Sequence, residues 1–330
     1  MTSLLTAPPQ GGAPDGPVHP PGPAAGRRRG VKSARGIALV SVALALLLVF
    51  HSVLPGNIGS AIGTALPWLG LGVPVLVAVA VVRGAGRSWM LAGAPLLVWA
   101  IIFVPQFIAL DVLAPVPAAD QLTVASQNVE ADSGTAAISG IALADAGADV
   151  IALEELTAAA RFQASEALAT SHPYSYTVGT VGLWSIYPID NLRALTLGLS
   201  WKRALAADVH TPAGVVRVYV IHAASIRPGK QDDRDTMLAE LAATIEADGA
   251  ERVIALGDFN ASSADPALRS LGALLNEPNQ SSPSLGFTWP TALPLARIDH
   301  IFERGLDATS HRVIDAGDSD HRAVIARFNL

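Results

Sequence analysis

The sequence predicts an α/β protein in two parts: an N-terminal bundle of three transmembrane helices, then a four-layered α/β sandwich with two mixed β-sheets flanked by helices. Three observations predict it. Between residues 36 and 110 the chain holds three long uncharged stretches separated by short loops. From residue 121 onward, strand-length apolar runs alternate with Ala-rich helical segments. Several of those runs also follow one another directly across tight turns, and crossovers together with hairpins require mixed sheets rather than one parallel sheet.

Residues 1–35 come first. They contain Pro8, Pro9, Pro14, Pro17, Pro20, Pro21 and Pro23, many glycines and no apolar periodicity, the composition of a disordered tail. That tail ends in Arg27-Arg28-Arg29, followed by Lys32 and Arg35. Gly36 to Leu54 then runs 19 residues without a formal charge, enough to cross ~30 Å of hydrocarbon as a helix. A second such run lies within Ile58 to Val82 and a third from Ser88 to Leu110, interrupted by Pro67, Pro74, Pro95 and Pro105, which membrane helices tolerate. A cleaved leader is the rival reading of the first run; the two runs behind it and the long basic tail argue against that.

Five basic residues precede the first span, Arg83 and Arg87 lie between the second and third, and the loop at Pro55-Gly56-Asn57 carries none. The positive-inside rule puts the N-terminus and the Arg83–Arg87 loop in the cytoplasm. Three crossings then place the C-terminal domain outside a plasma membrane. The spans hold no Asp, Glu, Lys or Arg, so they read as an anchor and not as a transport pathway. The absence of cysteine suits an exported domain.

Asp111 to Asp120 is the linker, and residues 121–330 are ample for one domain with a full core. The expected elements are a strand at Leu122–Asn128, a helix at Thr135–Ala146, a strand at Asp149–Leu153 and a helix at Thr157–Thr170. Four strands follow at Gly182–Ile189, Leu192–Leu199, Ala204–His210 and Val215–His222, the last two joined by the turn Thr211-Pro-Ala-Gly214. Next come a helix at Asp232–Asp248, a strand at Arg252–Leu256 and a helix at Pro266–Leu275. Strands at Ala296–Phe302, Ser310–Asp315 and His321–Phe328 close the chain.

Polar groups from a narrow set stand at the ends of these strands. Val253-Ile254-Ala255-Leu256 runs into Gly257-Asp258-Phe259-Asn260, and alternation lets Asp258 and Asn260 point the same way while Phe259 points into the core. A carboxylate and an amide on one face suit a hard cation and an anionic oxygen. Asp320-His321 adds a ligand or base that titrates near neutrality. Asn128, Glu155, His222 and Asp299 occupy comparable places. Singly each has an ordinary reading: Glu154-Glu155 as a solvated strand terminus, His222 as a structural histidine, Asp299 as a paired buried acid. Jointly they point to metal-assisted hydrolysis of a phosphate ester.

These residues also carry a family likeness. NVEAD around Asn128, DVIALEEL around Glu155, GLWSIYPI at 182–189, IHAAS after Val220, GDFNASSADP, RIDHIF and SDHRAVIARF occur in one order. The chain resembles, over residues 120–330, the endonuclease/exonuclease/phosphatase superfamily, metal-dependent phosphoesterases that include deoxyribonuclease-like nucleases, sphingomyelinases and inositol-phosphate phosphatases. The resemblance implies Mg²⁺ or Mn²⁺ on the glutamate Glu155, with Asn128 as second ligand or orienter and Asp320 as a further metal-side carboxylate. It implies that Asp258 and Asn260 orient the nucleophilic water and hold the phosphate. It makes His321 the catalytic histidine, kept in orientation by Asp299, and His222 a second phosphate contact. Two departures stand out: Ile186 where relatives carry arginine, and Glu154 where they usually carry glutamine. The first is expected to affect the substrate, the second to add negative charge beside the metal ligand.

Residues 112–330 hold 15 Lys and Arg against 26 Asp and Glu, a formal balance of −11, and such a domain repels a polyanion. Arg227 and Lys230, with Arg234 near, are the one candidate basic patch. The expectation is a membrane-anchored, nuclease-like phosphoesterase, with a phospholipid, sphingomyelin or inositol-phosphate esterase as the alternative and an inactive phosphate-ester-binding module as the competing class. No long aromatic loop marks the outer domain for bilayer insertion, and nothing points to a protein partner.

Overall fold

The computed structural model describes residues 25–54, 56–83, 90, 92–113, 115–116, 118–225 and 231–330, with side chains from residue 34. Most of the predicted tail, along with Arg87, Arg227 and Lys230, lies outside these. Helix α1, Ala25–Phe50, starts eleven residues before the expected span and takes in the basic run. Helix α2 is Gly56–Val82. Among the described residues these two helices are long and apolar enough to cross a membrane.

The expectation of three spans needs correction. The α-helix of the third run, α3, is Ala94–Phe103, only 10 residues, or about 15 Å against ~30 Å of hydrocarbon. Prolines bound it: Pro95 occupies the first turn, and Pro105 falls in the 3-10 turn Val104–Phe107 that ends it. A one-turn helix, α4 (Leu110–Leu113), opens the linker.

The remaining chain forms four layers, as the alternation of crossovers and hairpins predicts. One sheet has six strands in the order β10-β11-β1-β2-β4-β3, the other five in the order β5-β6-β7-β8-β9. Their ranges are β1 Gln121–Asn128, β2 Val150–Glu154, β3 Tyr174–Val178, β4 Val181–Ser185, β5 Ile189–Leu195, β6 Ala204–Thr211, β7 Gly214–His222, β8 Val253–Asp258, β9 Asp299–Arg304, β10 Asp307–Ile314 and β11 Ala323–Asn329. Each sheet is mixed, with one parallel pair at its middle, β1/β2 and β7/β8, and antiparallel neighbours elsewhere. Helices α5 (Ala136–Asp145) and α6 (Ala158–Leu168) cover the outside of the first sheet. Helices α7 (Gln231–Ala247) and α8 (Arg269–Gly272) cover the second.

Alternation assigns the faces. Leu122 and Val124, Val150 and Ala152, Val218 and Val220, Ile254 and Leu256, and Ile301 pack between the sheets. Two residues further along β2, β7 and β8, four further along β1, and two residues earlier on β9, the same inner face carries Glu154, His222, Asp258, Asn128 and Asp299. The core between the sheets therefore ends in polar groups on one edge.

Several boundaries differ from expectation. The run 182–189 is β4 and the start of β5, split by Pro188, and β3 is an added edge strand. The expected helix at 266–275 is a 3-10 turn, Pro266–Leu268, followed by the single turn of α8. His321 lies in the loop before β11 and not inside a strand.

Behind β9 the opposite parity buries His300, whose Nδ1 meets Glu277 Oε1, a carboxylate that also forms an ion pair with Arg297, 2.7 Å from its Nη2. Burial alone would raise the Glu277 carboxyl, but Arg297 and His300 outweigh it and hold the group down at about 2. With the folded value below the unfolded one of about 4.3, this stabilisation is complete above that pH and is lost as pH falls toward 2. Glu277→Gln is expected to cost about 3 kcal/mol at pH 7 by stranding Arg297. Urea unfolding should show the gap to the wild type narrowing between pH 5 and 2.

Candidate active site

Asp258 is the hub. It ends β8 beside His222 of β7 and Asp299 of β9, its register partners on either side, so three functional side chains form one row. Gly257 makes this end of the strand possible. Its φ is 137°, and a Cβ there would lie 2.0 Å from the Ile221 carbonyl oxygen. Asp258 Oδ2 accepts from Asn128 Nδ2 of the other sheet at 3.0 Å and from Asn260 Nδ2 at 3.1 Å, and Oδ1 accepts from the Asn260 backbone N–H at 2.8 Å. Burial raises its carboxyl, Asp299 adds to the rise, and His321 opposes it.

His321 donates Nδ1–H to Asp299 at 2.9 Å. Burial alone would lower the imidazole, but Asp299, then Asp258 and Asp320, more than offset that and push it up to about 10. Ligand atoms of Asp258, Asp299 and His321 lie within 4.8 Å of one another. The loop that carries His321 is tied to β1: Ser319 donates to the Asn128 carbonyl at 2.6 Å, and Gln127 donates to the His321 carbonyl at 3.0 Å.

Glu155 follows β2 with φ 57°, and Asn260 follows β8 with φ 47°. Both backbones occupy the left-handed region, at a cost of order 1 kcal/mol for a non-glycine residue. At Glu155 this turn sends the carboxylate into the cleft, where Oε1 lies 3.4 Å from His222 Nε2 and Oε2 accepts from the Ala131 N–H at 3.3 Å. The His222 contact chiefly, with Asn128 and Ala131, lowers this carboxyl to about 2. Asp320 stands at the rim, 3.9 Å from His321 Nε2, and accepts from Trp289 Nε1 at 3.0 Å. All eight residues expected from the sequence thus converge on one cleft of about 300 Å³, whose lining includes Glu155, Asp258, Asn260, Asp320 and His321.

Three contributors were missed. Arg203, at the start of β6, donates Nη2–H to His222 Nδ1 at 2.8 Å. Trp289 walls the rim, and Thr64 of α2 lines the cleft from outside the domain. The first two sit in loops without a motif, and Thr64 sits in a helix read as an anchor.

The two departures resolve in different ways. Ile186 is far from the chemistry: Ser185 pairs with Val150 at the start of β2, whereas Gly182 pairs with Leu153 near its catalytic end. The expected effect on substrate therefore has no structural basis. Glu154 is fully buried and accepts from Ser126 at 2.8 Å. Burial first, with Asp299 and Asp258 adding to it, raises its carboxyl well above the ordinary range. Its surroundings thus favour the neutral acid, in which form it stands in for glutamine and adds no charge. Arg234, expected near a basic patch, is buried with Asp265 at 2.8 Å.

Two stacked mixed sheets bring acids, amides and histidines to one edge of the molecule. The chain belongs to the Endonuclease/Exonuclease/phosphatase family, whose model matches residues 125–321. Among solved structures it is similar to D. rerio TDP2 complexed with single-strand DNA product (TM-score 0.54, 21% identity, covering 64% of this chain and 100% of that one). It is similar also to a Staphylococcus aureus beta toxin mutant with bound magnesium ions (0.51, 18%, 63% and 99%). A third is sphingomyelinase C of Streptomyces griseocarneus (0.50, 19%, 64% and 100%). At these identities the likeness establishes the fold. No curated protein matches the sequence.

Glu154→Gln tests the neutral-acid reading. An acid whose folded value is raised is most favourable below its unfolded value and loses that contribution as pH rises. The variant should match the wild type near pH 4 and be the more stable of the two at pH 8, by urea unfolding of metal-free protein, with hydrolysis within about threefold.

Proposed function

We propose that this protein is a membrane-anchored hydrolase that cleaves phosphate esters with a divalent cation, Mg²⁺ or Mn²⁺, at the outer face of the membrane. One observation carries the reading: Asn128 of one sheet binds Asp258 of the other within reach of the His321–Asp299 pair. A binding module has no need of a carboxylate oriented by two amides beside a histidine oriented by a carboxylate.

The donor set fits a hard cation. Glu155, Asp258, Asp299 and Asp320 face one cleft, and oxygen ligands are what Mg²⁺ and Mn²⁺ take. Glu155 would hold the ion with Asn128, and Asp320 would stand on its solvent side; when bound, the ion neutralises charge on the phosphoryl oxygens. The Asp258–Asn260–Asn128 cluster orients the attacking water, with Asp258 Oδ1 and Oδ2 as acceptors for its proton. His321, already charged, donates toward a phosphoryl oxygen and is kept in place through Nδ1 by Asp299. His222 and Arg203 supply a second donor pair on the Glu155 side.

Membrane anchoring draws support from exposure and from charge. Only 17% and 22% of the most apolar stretches of α1 and α2 are buried, whereas the core helix of a soluble protein is mostly buried. The basic residues of α1 lie toward its N-terminal end and Arg83 follows the C-terminal end of α2. The domain docks at the opposite end: the 3-10 turn His51–Val53 packs on the turn at Pro266–Leu268, and Asn279 donates to the carbonyls of Pro105 and Ile108. With the arginines inside, the domain is outside.

Full-length protein in detergent should hydrolyse bis-p-nitrophenyl phosphate with Mg²⁺ or Mn²⁺ and stop with EDTA. Asp258→Ala should lower kcat by about 10³-fold with little change in fold; retained activity would remove the central assignment. An alkaline phosphatase reporter fused after Leu330 should be active in cells, and an inactive fusion would reverse the orientation.

A further inference from the structure

We propose that helix α2 completes the active-site cleft and that the cleft takes its phosphate ester laterally from the bilayer, as the headgroup of a lipid. The proposal rests on the phosphoesterase reading and adds to it the route and carrier of the substrate.

The N-terminal half of α2 is built into the domain. Arg234, fully buried, donates from Nη2 to Ser60 at 2.8 Å and from Nη1 to the Asn260 carbonyl at 3.0 Å, with Asp265 balancing its charge. Gln231 donates to the same Ser60 hydroxyl. One turn on, Gly63 lies so close to the Ala264 carbonyl oxygen that a Cβ would sit 2.9 Å from it. Thr64 reaches Ser262 at 3.4 Å and lines the cleft opposite Glu155 and His321. A membrane helix thus forms one wall of the site and is joined through a single guanidinium to the backbone of Asn260.

The apolar surface continues from that wall. Trp68, about 6 Å further along α2, stacks on Phe287 at 5.5 Å and donates Nε1–H to the Leu295 carbonyl at 2.9 Å. Beside it the rim loop exposes Trp289, Leu293 and Leu295, 40%, 64% and 40% accessible. Below Trp68, Leu71 and Val75 of α2 are more than 60% exposed. An indole with one apolar side and a satisfied N–H belongs at the membrane–water boundary, which sets the cleft at headgroup height. A single phosphate on an apolar chain escapes the repulsion that an acidic domain exerts on a polyanion. The chemistry remains hydrolysis: a water oxygen bonds to phosphorus, the P–O bond to the leaving group breaks, and the water's proton passes by way of the site to the leaving oxygen, with no redox change.

The test compares methyl, butyl, octyl and hexadecyl p-nitrophenyl phosphate. Full-length protein is used in dodecyl maltoside micelles with Mn²⁺, and p-nitrophenolate release is the readout. The expected kcat/KM rises at least 100-fold from methyl to hexadecyl. In Trp68→Ser and Leu293→Ser the hexadecyl-to-methyl ratio should fall at least tenfold, which simple partition into micelles would not produce. Equal rates along the series in the wild type, or a ratio unmoved in both variants, overturns lateral uptake and leaves the phosphoesterase standing. No release from any ester by folded protein overturns the phosphoesterase reading and this inference with it.

Discussion

The hydrogen bond from Asn128 to Asp258 joins the two sheets at the edge where their apolar core stops, and the rest of the site depends on it. Five inner-face positions end in Asn128, Glu154, His222, Asp258 and Asp299 because the strands keep strict alternation up to that edge. Three of those five are acids, and burying them side by side is unfavourable unless each charge is answered. Each has its own answer. Asp258 is bonded by two amides and a backbone N–H, and Asp299 by the raised imidazole of His321. Burial favours the neutral form of Glu154. The acidic density that a hydrolytic site needs is thereby held in a folded protein without a surplus of buried charge.

The same logic reaches outward to α2. Arg234 lacks any surface role; its guanidinium answers Asp265 and at once ties Ser60 to the Asn260 carbonyl. A buried arginine is favourable only when its fork of donors is filled, and filling it requires α2 to be in place. Helix α2 and the domain are therefore not two units on a tether. The glycine at position 63 and the small residue at position 60 are where the backbone of α2 comes close enough for this contact, so the sequence of an apparently featureless span serves the site directly.

What the sequence made legible follows from range. GDFN, SDH and the polar ends of short apolar runs are local patterns, and alternation converts them into one face; all eight residues read in this way do meet. The mixed sheets were legible because hairpins and crossovers leave different spacings. What stayed hidden depends on pairing. β3 is an edge strand with exposed Tyr174 and Ser175, and its identity comes only from β4. Ile186 stands within a motif yet lies at the far end of β4, because antiparallel register carries neighbours in sequence away from the site. Arg203, Trp289 and Thr64 reach the cleft from distant segments, and no local pattern marks them. The third span failed for a local reason, the two prolines that bracket Ala94–Phe103, whose consequence a charge-free run conceals.

The acidic balance of residues 112–330 and the apolar rim of the cleft bear on one question, how the site selects. Electrostatics alone would leave any anionic ester at a disadvantage, with the divalent ion and the His222–Arg203 pair as local exceptions within a negative surround. Partition into the bilayer does not share that disadvantage, since a chain that carries its phosphate there gains about 0.8 kcal/mol for each methylene removed from water. Only a few methylenes offset the repulsion felt by one phosphate, whereas a polynucleotide brings more charge with each unit and no apolar chain to compensate. The arrangement of Thr64, Trp68 and Trp289 around a negative cleft therefore favours a ligand with one charged end and one apolar end.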